Sequence, residues 1–247
     1  MKTASFRFYE ELNDFLPEQK RKKNFSYRFS GSPSVKDAIE AIGVPHSEVD
    51  LILVNGESVT FSHHLSEEDN VSVYPVFECL DISPVNRLRE NPLRDTRFIL
   101  DVHLGKLAKY LRMTGFDTLY ERHYSDSEIV DISRNEKRII LTRDVGILKY
   151  KRVTHGYWIR SQDPVEQFRE VIRHFDLSSQ FQPFQRCMHC NGVIEKTSKS
   201  QIIQHLKPRT RQYYNDFYQC ARCKKVYWKG SHVKRMQELM NSIEKDN

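Results

Sequence analysis

The 247-residue chain carries 29% charged side chains and no run of about 18 consecutive apolar residues, which excludes a membrane-spanning helix and favours two or three separate cores. Its net charge of +6 is uneven: residues 1–96 hold 11 basic and 16 acidic side chains, net −5, residues 97–183 are net +3, and residues 184–247 are net +8. An acidic front and a basic tail argue for modules with different partners, and the tail is the part a polyanion meets first. Five cysteines without a secretory leader point to the cytoplasm, where disulfides rarely persist.

Residues 5–9 and 25–29 mix aromatic and polar side chains as strands do, with Lys20-Arg21-Lys22-Lys23-Asn24 as an exposed connection. Ser34 opens a short helix with Val35, Ala38, Ile39 and Ile42 on one face and Gly43 as its stop. A strand over 50–54, a turn at Asn55-Gly56 and an alternating strand over 71–76 follow. This order resembles a ubiquitin-like β-grasp over residues 1–80, and the Val54-Asn55-Gly56 turn with Val71-Ser72-Val73-Tyr74-Pro75 is similar to the small sulfur-carrier proteins. Sulfur carriers end in an activated Gly-Gly, whereas Phe77-Glu78-Cys79-Leu80 runs on into more chain. The resemblance therefore implies a scaffold that docks a protein partner, not thiocarboxylate chemistry, and the lone Cys79 reads as a small core residue. Residues 81–96, with Ser83-Pro84 and Asn91-Pro92, read as a linker.

From 97 to 183 strands and helices alternate. Arg97 to Leu100 is an apolar strand ending at Asp101, and Leu104, Leu107, Ala108 and Leu111 recur at helical spacing up to a stop at Gly115. A strand over 117–120, a helix opened by Ser125-Asp126-Ser127-Glu128, a strand over 138–142 and a strand over 156–160 lead to a helix beginning at Asp163-Pro164. Such alternation predicts an α/β parallel sheet with helices on both faces, whose strands present their carboxyl ends along one edge. Asp101 and Asp144 both follow apolar strands, and Asp126 can approach the same edge. Clustered carboxylates repel one another unless a cation intervenes, so Mg²⁺ or Mn²⁺ is the expected occupant, suited to phosphodiester hydrolysis. Asp163 is either a fourth ligand or the cap of its helix, Glu128 either a capping-box partner or a ligand. Arg112 and Arg143 can hold the scissile phosphate or pair with neighbouring acids, and the Thr142 hydroxyl can orient a water or a carboxylate, or simply end its strand.

Residues 184–247 hold the strongest chemical signal. Cys187-Met188-His189-Cys190 and Cys220-Ala221-Arg222-Cys223, separated by 29 residues, have the spacing of a zinc ribbon. Four thiolates leave no open coordination position, so this Zn²⁺ is expected to hold a fold and perform no chemistry. Between the pairs, Lys207, Arg209, Arg211, Tyr213 and Tyr214 interleave cations with aromatics, a pattern that suits single-stranded nucleic acid. Trp228 is expected to pack on the metal loop, and Val233, Met236, Leu239, Met240 and Ile243 share one face of a closing helix.

Several blocks together resemble one family. Phe98-Ile99-Leu100-Asp101, the stretch Leu104 to Arg112, Gly115-Phe116-Asp117, Arg138-Ile139-Ile140-Leu141-Thr142-Arg143-Asp144 and Tyr227-Trp228-Lys229-Gly230-Ser231-His232 are similar to the PIN-like ribonuclease domain named after the C-terminal part of the Mut-seven exonuclease, over residues 97–235. The same resemblance accommodates an N-terminal ubiquitin-like domain. It implies a metal-dependent ribonuclease with acids at Asp101, Asp126 and Asp144 and does not supply the substrate; RNA, single-stranded or structured, is the expected partner. After this first acid block comes Val102-His103, where His103 can touch the site or simply be a surface residue, and the surface reading is preferred. The rival reading is an RNA-binding or scaffold protein whose PIN-like site no longer turns over.

Overall fold

A computed structural model describes residues 1–75, 96–230 and 237–242. Cys79, the linker over 81–95 and the helix-face residues Val233, Met236 and Ile243 lie outside these residues. The chain divides into two compact units, Met1–Asp95 with Asp126–Trp158, and Thr96–Ser125 with Ile159–Asn247.

In the first unit, β1 (Lys2–Phe8), β2 (Phe25–Phe29), α1 (Val35–Ile42), β3 (Leu51–Val54), β4 (Glu57–Ser58) and β5 (Asn70–Tyr74) build a five-stranded sheet of order β2-β1-β5-β3-β4. β1 pairs antiparallel with β2 and parallel with β5, the β-grasp arrangement. Alternation drives it: Ala4, Phe6 and Phe8 of β1 are buried against Val35, Ala38 and Ile39 of α1. Ser34 Oγ accepts the Asp37 amide at 3.1 Å and so caps α1. Truncating a fully buried ring such as Phe6 would cost about 3–5 kcal/mol.

The remaining elements are β6 (Arg97–Leu100), α2 (Gly105–Met113), β7 (Asp117–Leu119), α3 (Asp126–Glu136), β8 (Ile139–Thr142), α4 (Val145–Leu148), β9 (Gly156–Trp158), α5 (Pro164–His174), β10 (Ile194–Thr197), α6 (Lys199–Ile202), α7 (Pro208–Tyr213), β11 (Phe217–Cys220) and β12 (Val226–Trp228). β6 pairs with β7 in the second unit and β8 with β9 in the first, both in parallel register. β8 is buried at every residue, as a strand covered on both faces must be. Antiparallel β10-β11-β12 forms the ribbon sheet.

The first unit also holds contacts that sequence spacing does not announce. A 3-10 turn at His46–Glu48 meets the segment around β9: His46 Nε2 lies 2.6 Å from the Val153 carbonyl, Glu48 accepts the Trp158 amide, and the Phe15 and Trp158 rings stand 5.1 Å apart. Burial and Lys36 pull the His46 imidazole below its ordinary pKa against the opposing pull of Glu40. The front sheet is thereby fastened to residues 148–158 by polar groups that burial makes costly to separate.

Candidate functional site

Asp101 follows β6 directly, is 2% exposed, and accepts the His103 amide on Oδ1 at 2.8 Å. That Asx turn carries the chain into α2 and orients the carboxylate. His103 itself is exposed. Thr142 ends β8, fully buried, and its Oγ1 accepts the Asp144 amide at 2.8 Å. Asp144 caps α4, taking the Gly146 amide on Oδ1 at 2.7 Å, with its side chain exposed. Arg143, between them, is also exposed. Asp126 is the exposed first residue of α3, with Glu128 in the same turn. Asp163 caps α5, its Oδ1 accepting from Val165 and Glu166 at 2.9 and 3.1 Å. Asp101 and Asp163 belong to the second unit, Asp126 and Asp144 to the first.

The four ribbon cysteines come together. Their sulfurs lie within 4.8 Å of one another, with Cys187–Cys223 at 3.6 Å and Cys190–Cys220 at 3.5 Å. Sulfurs bonded at 2.3 Å to one tetrahedral ion stand about 3.8 Å apart, so this donor set fits Zn²⁺. The two knuckles are conformational copies. The residue after each second cysteine, Asn191 (φ 62°) or Lys224 (φ 59°), adopts the left-handed region, and its amide donates to the carbonyl of the first cysteine at 2.9 or 3.0 Å. A Cβ on Gly192 would stand 3.0 Å from Cys220 Sγ, so glycine lets the second knuckle close.

Tyr227 completes this shell. Its hydroxyl is 3.0 Å from Cys187 Sγ, and burial together with Cys187 pushes its pKa up, so it remains protonated and donates. Burial raises the Cys187 thiol, but the Tyr227 hydroxyl and the backbone of Cys190 and His189 outweigh that and draw it down to about 7. Trp228 corrects the sequence expectation. Successive residues of a strand face opposite sides, so Tyr227 faces the sulfurs while Trp228 packs with Ile202, Leu206 and Phe217 away from the metal loop.

Arg112 lies elsewhere than the phosphate reading requires. It is 4% exposed, and its guanidinium donates to the carbonyls of Thr118 (2.8 Å), His189 (3.0 Å), Met188 (3.4 Å) and Tyr120 (3.5 Å). It ties the first knuckle to β7. Asn191 does the same from the other side, accepting the Thr118 amide at 3.0 Å and donating to Asp117 at 2.8 Å. Burial lowers the Arg112 pKa, opposed by Glu121 and the cysteines. Sequence pattern alone does not mark Asn191 or Tyr227 as functional, the one signal for Asn191 being its place after Cys-x-x-Cys.

Of the proposed nucleic-acid residues, Lys207, Arg209 and Arg211 are exposed on or beside α7, a helix the sequence reading did not foresee. Arg211 Nη2 donates to the Ile203 carbonyl at 2.7 Å. Tyr213 is 70% exposed, and Tyr214 packs against Trp228 with ring centroids 6.3 Å apart.

Among known families, one described as the Mut7-C RNAse domain matches residues 96–240, and one described as Mut7-C ubiquitin matches residues 1–81. Two crystal structures of small archaeal modifier protein 1 from Haloferax volcanii are similar at 14% identity: one covers 31% of this chain and 100% of its own with a TM-score of 0.26, the other 30% and 96% with 0.25. No curated protein matches. Among the described residues no helix is long and apolar enough to cross a membrane. The ribonuclease-domain match takes in β6 with Asp101, β8 with Asp144 and both cysteine knuckles, more than half of the sequence, and with the ubiquitin-like match before it the chain belongs to the Mut7-C RNAse domain family.

Proposed function

We propose that the chain is a divalent-metal-dependent ribonuclease that hydrolyses RNA phosphodiester bonds with Asp101, Asp126 and Asp144 as its acids and a zinc-loaded ribbon as its RNA clamp. One observation carries the reading: Asp101 and Asp144 each follow closely on a largely buried strand paired in parallel with its neighbour, each with one oxygen oriented by a downstream amide. Ligands of open α/β sheets gather at the carboxyl ends of the strands. Carboxylates are the hard oxygen donors that Mg²⁺ or Mn²⁺ takes, and Asp163 is a fourth candidate. These acids would hold such an ion, and the chemistry it would supply when bound is a hydroxide nucleophile and neutralisation of the leaving oxygen. Thr142 fixes the turn that presents Asp144, and Arg143 beside it offers planar donors to the scissile phosphate. Arg112 is left out of this machinery because its donors hold the knuckle carbonyls. The β-grasp supplies a surface for a protein partner.

The second reading, an RNA-binding protein without turnover, is favoured by one detail. Asp144 and Asp163 each commit an oxygen to a helix cap. The test is to incubate zinc-loaded protein and an Asp101→Asn/Asp144→Asn variant with labelled single-stranded RNA and DNA, with and without added Mn²⁺ or Mg²⁺. We expect metal-dependent RNA cleavage that the variant loses while binding persists; RNA bound by wild type without cleavage under either metal selects the second reading.

A further inference from the structure

The second unit contains a groove of about 1150 Å³ between the ribbon and the helices α2 and α5. Its inner wall is apolar, from Met113, Val165, Phe184 and Val226. Around that wall stand the rings of Tyr110, Tyr213, Tyr214 and Trp228, and the cations Arg186, Arg209 and Lys225 also line it. Among the described residues no carboxylate lines it. Arg186 is engaged by Asp117 at 3.1 Å, but among the described residues no hydrogen bond or ion pair engages the Arg209 guanidinium or the Lys225 ammonium. Arg209 and Tyr213 lie one helical turn apart on α7, so one cation and one exposed ring face the groove together.

We infer that this groove holds an unpaired nucleobase of a single-stranded RNA, stacked among Trp228 and the tyrosines, with its flanking phosphates on Arg209 and Lys225. The occupant follows from chemistry. An apolar slot with aromatic walls accepts the faces of a base, which stack without regard to sequence, and a wholly cationic charged rim complements a polyanion. A paired base has both faces covered by its neighbours and cannot enter. The groove thus sets the substrate class, single-stranded over double-stranded, and this inference rests on the ribonuclease reading above for its choice of RNA as the strand bound.

The test uses the full-length chain with Asp101→Asn/Asp144→Asn to prevent cleavage and Trp158→Phe so that Trp228 is the sole tryptophan. Zinc content of one ion per chain, checked first, shows the ribbon intact. Trp228 fluorescence is titrated, without added divalent ion, with an oligouridylate of about ten nucleotides, the same strand annealed to its complement, a ribose-phosphate chain of the same length lacking bases, and a tyrosine-containing polyglutamate peptide. We expect quenching by the oligouridylate alone and binding at least about 10-fold tighter than the abasic chain. Tyr213→Ala should narrow that ratio, and Arg209→Ala should weaken both polynucleotides alike. Equal binding of the abasic chain, quenching by the peptide, or preference for duplex RNA overturns the inference. The outcomes separate from those of the nuclease assay: wild type that fails to cleave under any metal while the base-dependent quench persists removes the nuclease reading and leaves the groove standing.

Discussion

Tyr227 places a hydroxyl where it would tune a four-sulfur metal shell from outside it. A thiolate in a four-sulfur site carries charge that the ion only partly cancels, and a donor 3.0 Å from Cys187 Sγ stabilises the remainder. Because burial keeps the phenol protonated, the interaction persists across the working range of pH. Tyr227→Phe keeps the ring in its buried place and removes only the donor. We expect zinc affinity to fall about 10- to 100-fold, measured by competition with a chromophoric chelator, with the far-ultraviolet circular dichroism of the zinc-loaded protein unchanged. Unchanged affinity would reduce Tyr227 to packing. Arg112 gives the complementary lesson: the same guanidinium that suits a phosphate suits a row of carbonyls, and its 4% exposure decides for the carbonyls.

At the scale of elements, what the sequence made legible was what periodicity and caps encode. The strand ending at Asp101, the helix stopped by Gly115 and the strand ending at Thr142 stand within a residue or two of their expected bounds, because apolar spacing and terminal residues set them locally. Short elements escaped. α4 spans four residues and α7 six, too few for a period to show, and α7 is announced only by Pro208 at its first turn. Long-range contacts escaped for a different reason. The clasp between the His46–Glu48 turn and β9 depends on residues about 110 positions apart, which no local pattern links. That clasp makes a prediction: Glu48→Ala leaves the Trp158 amide without its acceptor, at a cost of about 1–3 kcal/mol. Hydrogen exchange should report faster exchange at residues 156–158 while β1 and β5 keep their protection; unchanged exchange at Trp158 would show that the β9 ladder alone protects it.

Across the whole molecule, charge and metal converge on the second unit. Residues 184–247 carry net +8, and the apolar clusters of the ribbon hold few residues, so a sheet of this size would depend on a bound Zn²⁺ to persist. A Zn²⁺ held there would do more than close the ribbon. The carbonyls of Met188 and His189, fixed by the first knuckle, are the acceptors for Arg112, and Asn191 of the same knuckle pairs with the edge strand β7. Zinc removal would release those acceptors and leave a buried guanidinium short of partners, which costs more than the loss of a neutral hydrogen bond. We therefore expect a strong chelator to lower the thermal midpoint of the chain and abolish single-stranded RNA binding together, with both restored by stoichiometric Zn²⁺ but not by Mg²⁺. Calorimetry and fluorescence anisotropy on the Asp101→Asn/Asp144→Asn chain would measure the two effects free of cleavage. RNA binding that survives complete zinc extraction would mean that the cations of α7 act without the ribbon's architecture, and the knuckle would then be a local staple with no part in holding the substrate.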